Sequence, residues 1–390
     1  MLDDETSVRH VMMTADAVGG VWTYALELAS NLAGLGVRTT LATMGEPLRP
    51  AQRELAAGIP GLKLVESAFK LEWMEQPWAE VSTAGDWLLG LEERECPDLV
   101  HLNGYALAAL GWRAPGLVVA HSCVLSWWKA VLRESAPAKY ERYRQAVESG
   151  LRAADAVVAP TRAMMRSLRE HYRAPVRGRV IPNGVSVDRY GSVRKEPFVL
   201  AAGRLWDEAK NLAALAAIAP RLEWPVYLAG NSEHPDGVRR RHEGVRMLGW
   251  LDAQALRGWM ARASIYALPA RYEPFGLSVL EAALSGCALV LGDIPSLREI
   301  WQSSAFFVSP DDEHALRRGI EQLVRDDSLR SSLAEAARAR ARAFTAERMA
   351  RSYLELYREL VARRSAGASA PPLATRSWED EGGMAVQPCA

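Results

Sequence analysis

Cysteine is scarce: Cys96, Cys123, Cys287 and Cys389 are the full complement in 390 residues. They lie far apart, without the close pairs that zinc ligands or redox dithiols need, so both chemistries are excluded and the four are read as reduced cytosolic thiols. Net charge is missing as well. Lys plus Arg and Asp plus Glu stand at 47 each, which leaves no dominant electrostatic footprint for nucleic acid. No charge-free apolar run is long enough to cross a bilayer. The start, Met1-Leu2-Asp3-Asp4-Glu5, lacks the basic and apolar regions of a secretory signal. These absences predict a cytoplasmic protein, with peripheral contact at the inner face of a membrane left open.

What is present is a well-filled interior. Apolar residues make up 49% and charged residues 24%, the balance of an ordinary globular chain, and the length calls for two domains. Short β-branched runs alternate with longer helical patterns. That rhythm predicts an α/β fold of parallel sheets covered on both faces. Strands are expected at Val8–Met13, Val37–Thr43, Leu99–Leu102, Leu117–Ala120, Ala156–Ala159 and Arg179–Ile181. After Pro182-Asn183-Gly184-Val185 the pattern restarts, with strands at Phe198–Ala202, Val226–Ala229, Val245–Leu248, Ser264–Leu268 and Ala288–Leu291. The predicted organisation is a Rossmann-like domain over 1–185, a second over 186–344, and a helix over 345–362 that joins the first. A tail over 363–390 has no hydrophobic period and is expected to be disordered. Ligands of doubly wound sheets bind beyond the carboxyl ends of the strands, so two such domains are expected to face a central cleft.

Four segments follow strands and carry chemistry. Gly19-Gly20 precedes the first helix, where bare backbone and free N–H groups suit a phosphate; a turn needing positive φ would use the same glycines. The pair lacks the spacing of a dinucleotide fingerprint, and Thr39–Thr43 offers no carboxylate for a ribose. Gly203-Arg204-Leu205 and Lys210-Asn211 put two cations six residues apart in one strand-to-helix loop. Such cations converge on a diphosphate and offset the charge that grows as a glycosyl–phosphate bond breaks. In Glu273-Pro274-Phe275-Gly276-Leu277-Ser278-Val279-Leu280-Glu281, Pro274 and Gly276 break the chain before a helix. Glu273 then lies in the loop and Glu281 on the second helical turn, while N–H groups near Phe275–Leu277 can face phosphates. His121, after the strand Leu117–Ala120, can donate to a sugar hydroxyl or shuttle a proton, although a histidine there also serves structure alone. Among 13 tryptophans, Trp22, Trp127 and Trp128, with Tyr105, offer flat rings for an acceptor. Asp16 is a further candidate for an acceptor hydroxyl.

Together, Gly19-Gly20, His121, Arg204, Lys210 and the Glu273–Glu281 element resemble the retaining glycosyltransferases of family 4, which have the GT-B fold. The similarity runs from Val8 to about Leu360. Its most specific part, Arg271-Tyr272-Glu273-Pro274-Phe275-Gly276-Leu277 with Glu281, looks like that family's pair of glutamates eight residues apart. The resemblance implies that Arg204 and Lys210 bind the donor diphosphate, Glu281 the ribose, and Glu273 the donor sugar's hydroxyls. It places His121 near the sugar's O6 and the Gly19-Gly20 backbone on the phosphate and acceptor side. Thr14-Ala15-Asp16-Ala17-Val18 departs from the family in lacking the proline common just before the glycines, which bears on the acceptor side.

The implied activity is transfer of a sugar, with retention, from a nucleoside-diphosphate sugar (UDP is the expected nucleotide) to a saccharide, a lipid-linked or a small-molecule acceptor. No metal or other cofactor is expected. The adjacent pairs Asp3-Asp4, Asp311-Asp312 and Asp326-Asp327 read as solvated or capping residues. A sugar-nucleotide epimerase, a phosphorylase-like enzyme and a non-catalytic nucleotide-sugar binder are the alternatives.

Overall fold

The structure is a computed structural model that describes residues 8–17, 19–176, 178–191, 193–233, 237 and 242–366. It divides into two compact units. One comprises the chain up to Ser126, Ser135–Gly184 and the chain from Ala346; the other comprises Trp127–Glu134 and Val185–Thr345.

The first unit holds a seven-stranded sheet of β1 (His10–Asp16), β2 (Arg38–Met44), β3 (Leu62–Glu66), β4 (Leu99–Leu102), β5 (Gly116–Val119), β6 (Ala156–Ala159) and β7 (Gly178–Val180). Their spatial order is β3-β2-β1-β4-β5-β6-β7, parallel throughout. Helices cover both faces of the central strands: β4, β5 and β6 are buried at every position, and His101 in β4 is the one polar side chain among them. The chain order reverses direction between β1 and β4, the crevice where doubly wound sheets take ligands.

The second unit repeats the plan with six strands: β8 (Glu196–Ala202), β9 (Val226–Ala229), β10 (Arg246–Gly249), β11 (Ala263–Leu268), β12 (Ala288–Gly292) and β13 (Phe306–Val308). Their order is β10-β9-β8-β11-β12-β13, again all parallel. The equivalent reversal falls between β8 and β11.

Three expectations need correction. Strands β3 and β13 were not anticipated; β3 is a half-buried edge strand carrying Lys63 and Glu66, and β13 has only three residues. Trp127–Glu134, expected within the first domain, groups with the second unit, where the Trp127 Nε1–H donates to Asp207 Oδ1 at 3.1 Å and Arg133 pairs with Asp311. The last helix runs Ala346–Ser365, so helical structure extends past the expected boundary at 362; the rest of the expected tail, 367–390, lies outside the described residues. Among the described residues no helix is long and apolar enough to cross a membrane.

Candidate active site

In the second unit the site is built on two loops flanking the reversal point. Beyond β8, Gly203 takes φ 154° and its carbonyl lies so close to Gly230 that a Cβ there would stand 1.8 Å from the oxygen. Only glycine fits at 230. The loop then turns through a short 3-10 segment, Glu208–Lys210, and Asn211 in the left-handed region starts the helix Leu212–Ile218. Asn211 anchors this turn by donating Nδ2–H to the carbonyls of Pro269 at 3.0 Å and Pro310 at 2.7 Å.

The two cations are each held by a carboxylate. Lys210 Nζ lies 2.5 Å from Glu273 Oε2, and an Arg204 guanidinium N–H donates to Asp207 Oδ2 at 2.7 Å. Asp207 is buried, with 5% of its surface exposed. Its Oδ1 accepts from the Ala209 N–H at 3.0 Å as well as from Trp127. Burial pushes this carboxyl up, but Arg204 and Lys210, helped by those hydrogen bonds, outweigh it and hold the group below the usual Asp range. The sequence reading missed Asp207. In Trp206-Asp207-Glu208 it looks like one of two surface acids, and only its position in an Asx-type turn, donor-satisfied at Ala209, hints otherwise.

Glu273 lies in the loop beyond β11, and its own carbonyl accepts from Ser296 Oγ at 2.5 Å. Gly276, at φ 90°, opens the helix Leu277–Leu284. A Cβ at Gly292 would meet the Ala270 carbonyl at 2.2 Å, so β12 and this loop are also in close backbone approach. Phe275 is buried edge-on to Phe344, and its N–H points to Glu273 Oε1 at a long 3.4 Å. Glu281 sits on the second helical turn, where the Tyr190 hydroxyl donates to its Oε1 at 3.0 Å. Arg204, Lys210 and Glu273 thus join through Asp207 and one direct ion pair, and Glu281 is fixed separately by Tyr190.

The first unit shows a different chemistry at its equivalent position. Gly19, at φ 92°, precedes the helix Gly20–Gly34, and both glycines are exposed. Asp16 ends β1 and is half-buried. Beyond β5, His121 Nε2 lies 2.8 Å from Asn103 Oδ1, with its ring edge-on to Tyr24 at 4.5 Å. Burial pushes the His121 imidazole down to about 3, so it is neutral near pH 7. Of the aromatic candidates, Tyr105 is buried and its hydroxyl donates to the Ser122 carbonyl at 2.8 Å. Trp22 is buried with its Nε1–H unpartnered among the described residues. Trp127 and Trp128 are half-buried, their rings 6.0 Å apart. Among the described residues, no group of three or more His, Cys, Asp or Glu is placed to hold a metal ion.

Comparisons with known proteins bear on this geometry. The family profile described as Glycosyltransferase Family 4 matches residues 18–189, and the one described as Glycosyl transferases group 1 matches residues 196–326. The D-inositol 3-phosphate glycosyltransferase of Xylanimonas cellulosilytica is 28% identical over 410 residues, covering 94% of this chain and 97% of that protein. The glycogen synthase of Mycobacterium tuberculosis is 28% identical over 282 residues, 65% of this chain and 66% of its own. Among solved structures, sucrose-phosphate synthase from Thermosynechococcus elongatus superposes with a TM-score of 0.76 at 19% identity, covering 91% of this chain and 99% of that one. HepE of Anabaena, in complex with UDP and glucose, gives 0.68 at 17% identity over 90% and 99%. Two parallel-sheet units with these matches carry the GT-B fold, and the chain is an enzyme of the glycosyltransferase family 4 group.

Proposed function

We propose that the protein transfers a sugar from a nucleoside-diphosphate sugar, with retention of anomeric configuration, to an acceptor hydroxyl. The observation that carries this reading is the pair of cations beyond β8, Arg204 and Lys210, each held by a buried or nearly buried carboxylate. A diphosphate is the ligand that such a pair can neutralise, and its charge grows as the glycosidic bond breaks. Glu281, fixed by Tyr190, is suited to accept from ribose hydroxyls, and Glu273 from hydroxyls of the donor sugar. UDP is the proposed nucleotide, in keeping with HepE, whose structure holds UDP and glucose. The acceptor is proposed to be a saccharide, a lipid-linked saccharide or a small alcohol such as the inositol phosphate named in a relative.

In the proposed step the bond from the anomeric carbon to the phosphate oxygen breaks while the acceptor oxygen bonds to the same face of that carbon. The acceptor proton passes to the departing phosphate oxygen. Arg204 and Lys210 stabilise the leaving group, so neither a protein nucleophile nor a metal is required. Incubation with UDP-sugars and an acceptor panel in the presence of EDTA tests this, with the product anomer read by NMR. Retained configuration at an undiminished rate supports the proposal; an inverted product, a covalent glycosyl adduct on a carboxylate, or loss of turnover with EDTA contradicts it.

A further inference from the structure

We propose that Asn103 is a positioning residue that fixes His121 as the Nε2–H tautomer, leaving Nδ1 as a hydrogen-bond acceptor for a substrate hydroxyl. The argument begins at the carboxyl ends of β1, β4 and β5, which bring Thr14, Asn103 and His121 together. The Asn103 backbone N–H donates to Thr14 Oγ1 at 3.0 Å, and its Nδ2–H donates to the Thr14 carbonyl at 2.6 Å. A carbonyl oxygen only accepts, so this second bond fixes which end of the amide is nitrogen. Oδ1 is therefore the atom that faces His121 Nε2 at 2.8 Å. An amide oxygen cannot donate, so His121 must carry its proton on Nε2.

A second histidine touches the same amide. His101 is fully buried in β4; its Nδ1 lies 2.6 Å from the Tyr357 hydroxyl, and its Nε2 lies 3.3 Å from the same Asn103 Oδ1 and 3.2 Å from the Tyr24 hydroxyl. The Tyr357 and Tyr24 hydroxyls can each donate or accept, and the His121 assignment does not depend on which His101 nitrogen carries its proton. Burial keeps both rings neutral, each pushed down to about 3, so each has one donor and one acceptor nitrogen. His121 is half-buried, and no described residue is hydrogen-bonded to its Nδ1.

The consequence for function is a choice of sign. His121 would accept a hydrogen bond from a sugar hydroxyl and would not donate one, so a substrate whose oxygen there is a carbonyl or ether has no partner. That consequence rests on the sugar contact that the family resemblance implies for His121; the tautomer itself does not.

The test uses the full-length protein, labelled with ¹⁵N-histidine and free of ligand, and reads ring nitrogens through two-bond correlations near pH 7.5. Seven histidines keep the spectrum tractable, and the His121 pattern is the one lost in His121→Gln. The expected wild-type pattern is pyrrole-type at Nε2 and pyridine-type at Nδ1. Asn103→Leu is expected to turn that single form into a mixture. Should that variant fail to fold, Asn103→Asp retains the acceptor and sets a carboxylate beside the ring, so Nε2–H persists and the His121 titration moves upward. Wild-type protonation at Nδ1, an unchanged tautomer in Asn103→Leu, or an unmoved titration in Asn103→Asp overturns the proposal. With donor and acceptor supplied, Asn103→Leu should lower kcat/KM by about tenfold, the loss of one hydrogen bond, without changing nucleotide affinity. A tautomer result as expected with unchanged kinetics would contradict the role of His121 and leave the positioning by Asn103 standing.

Discussion

The reversal points of the two sheets share a topology and differ in chemistry. Between β8 and β11 lie charged pairs, Lys210 with Glu273 and Arg204 with Asp207. Between β1 and β4, with β5 alongside, lies a neutral web of Thr14, Asn103, His101, His121 and Tyr24. One scaffold used twice thus gives one position lined by paired charges and another lined by neutral hydrogen-bonding groups. The fold sets where ligands go, and the side chains at the strand ends set which ligands.

If the charged position carries the leaving group, Arg204→Ala and Lys210→Ala should each lower kcat by about 10²- to 10³-fold, as removal of a preorganised transition-state partner does. Steady-state kinetics on folded variants checks this, and equal losses from His121→Gln would erase the contrast. Next in size is Gly230→Ala. A Cβ 1.8 Å from the Gly203 carbonyl must push the cation loop away, costing about 1–3 kcal/mol in denaturant unfolding together with most of the activity. A stable, active Gly230→Ala protein would show that the loop is not held by that backbone approach.

Asp207→Asn is expected to cost less, about 1–2 kcal/mol. A fully buried pair would exceed this, but the Arg204 side chain is 36% exposed and water screens the interaction. The pH signature has a definite sign. Because the folded carboxyl is held below its unfolded value, the contribution is present above about pH 4 and is lost as pH falls through the lower folded value. Acid unfolding of Asp207→Asn should lack that component.

The smallest effect near neutrality belongs to the neutral position. His101 and His121 resist protonation until about pH 3, whereas the unfolded chain takes up those protons near pH 6.5. Stability should therefore fall as pH drops from 6.5 toward 3, by up to about 1.4 kcal/mol per pH unit for each ring. His121→Gln should remove one ring's share of that slope. A slope unchanged by the substitution would mean that the ring is not held neutral.

The two positions were unequally legible in the sequence. Arg204, Lys210, Glu273 and Glu281 stand in short segments whose spacing and flanking Gly and Pro mark strand ends, so local pattern sufficed to single them out as candidates. Asp207 escaped because an acid between Trp206 and Glu208 reads as solvated until Trp127 and Ala209 are seen to bond it. Asn103 escaped for a longer-range reason. In Asn103-Gly104 it has the look of a turn, and its hold on His121 depends on strands β1, β4 and β5 meeting across 107 residues of chain from Thr14 to His121. The same limit applies to edges: β3 and β13 are short or half-buried, so neither carries the apolar run that marked β5 and β6.

Thermal unfolding with a panel of nucleotides tests the central claim most directly, since a ligand that binds only the folded state must raise the melting temperature, by about 2.7 kcal/mol of added stability at a hundredfold excess over Kd. A shift with one nucleoside diphosphate, abolished in Arg204→Ala and in Glu281→Ala, is the predicted result. No shift with any nucleoside diphosphate, or a shift that persists in both variants, would contradict the assignment of the donor site to the loops beyond β8 and β11.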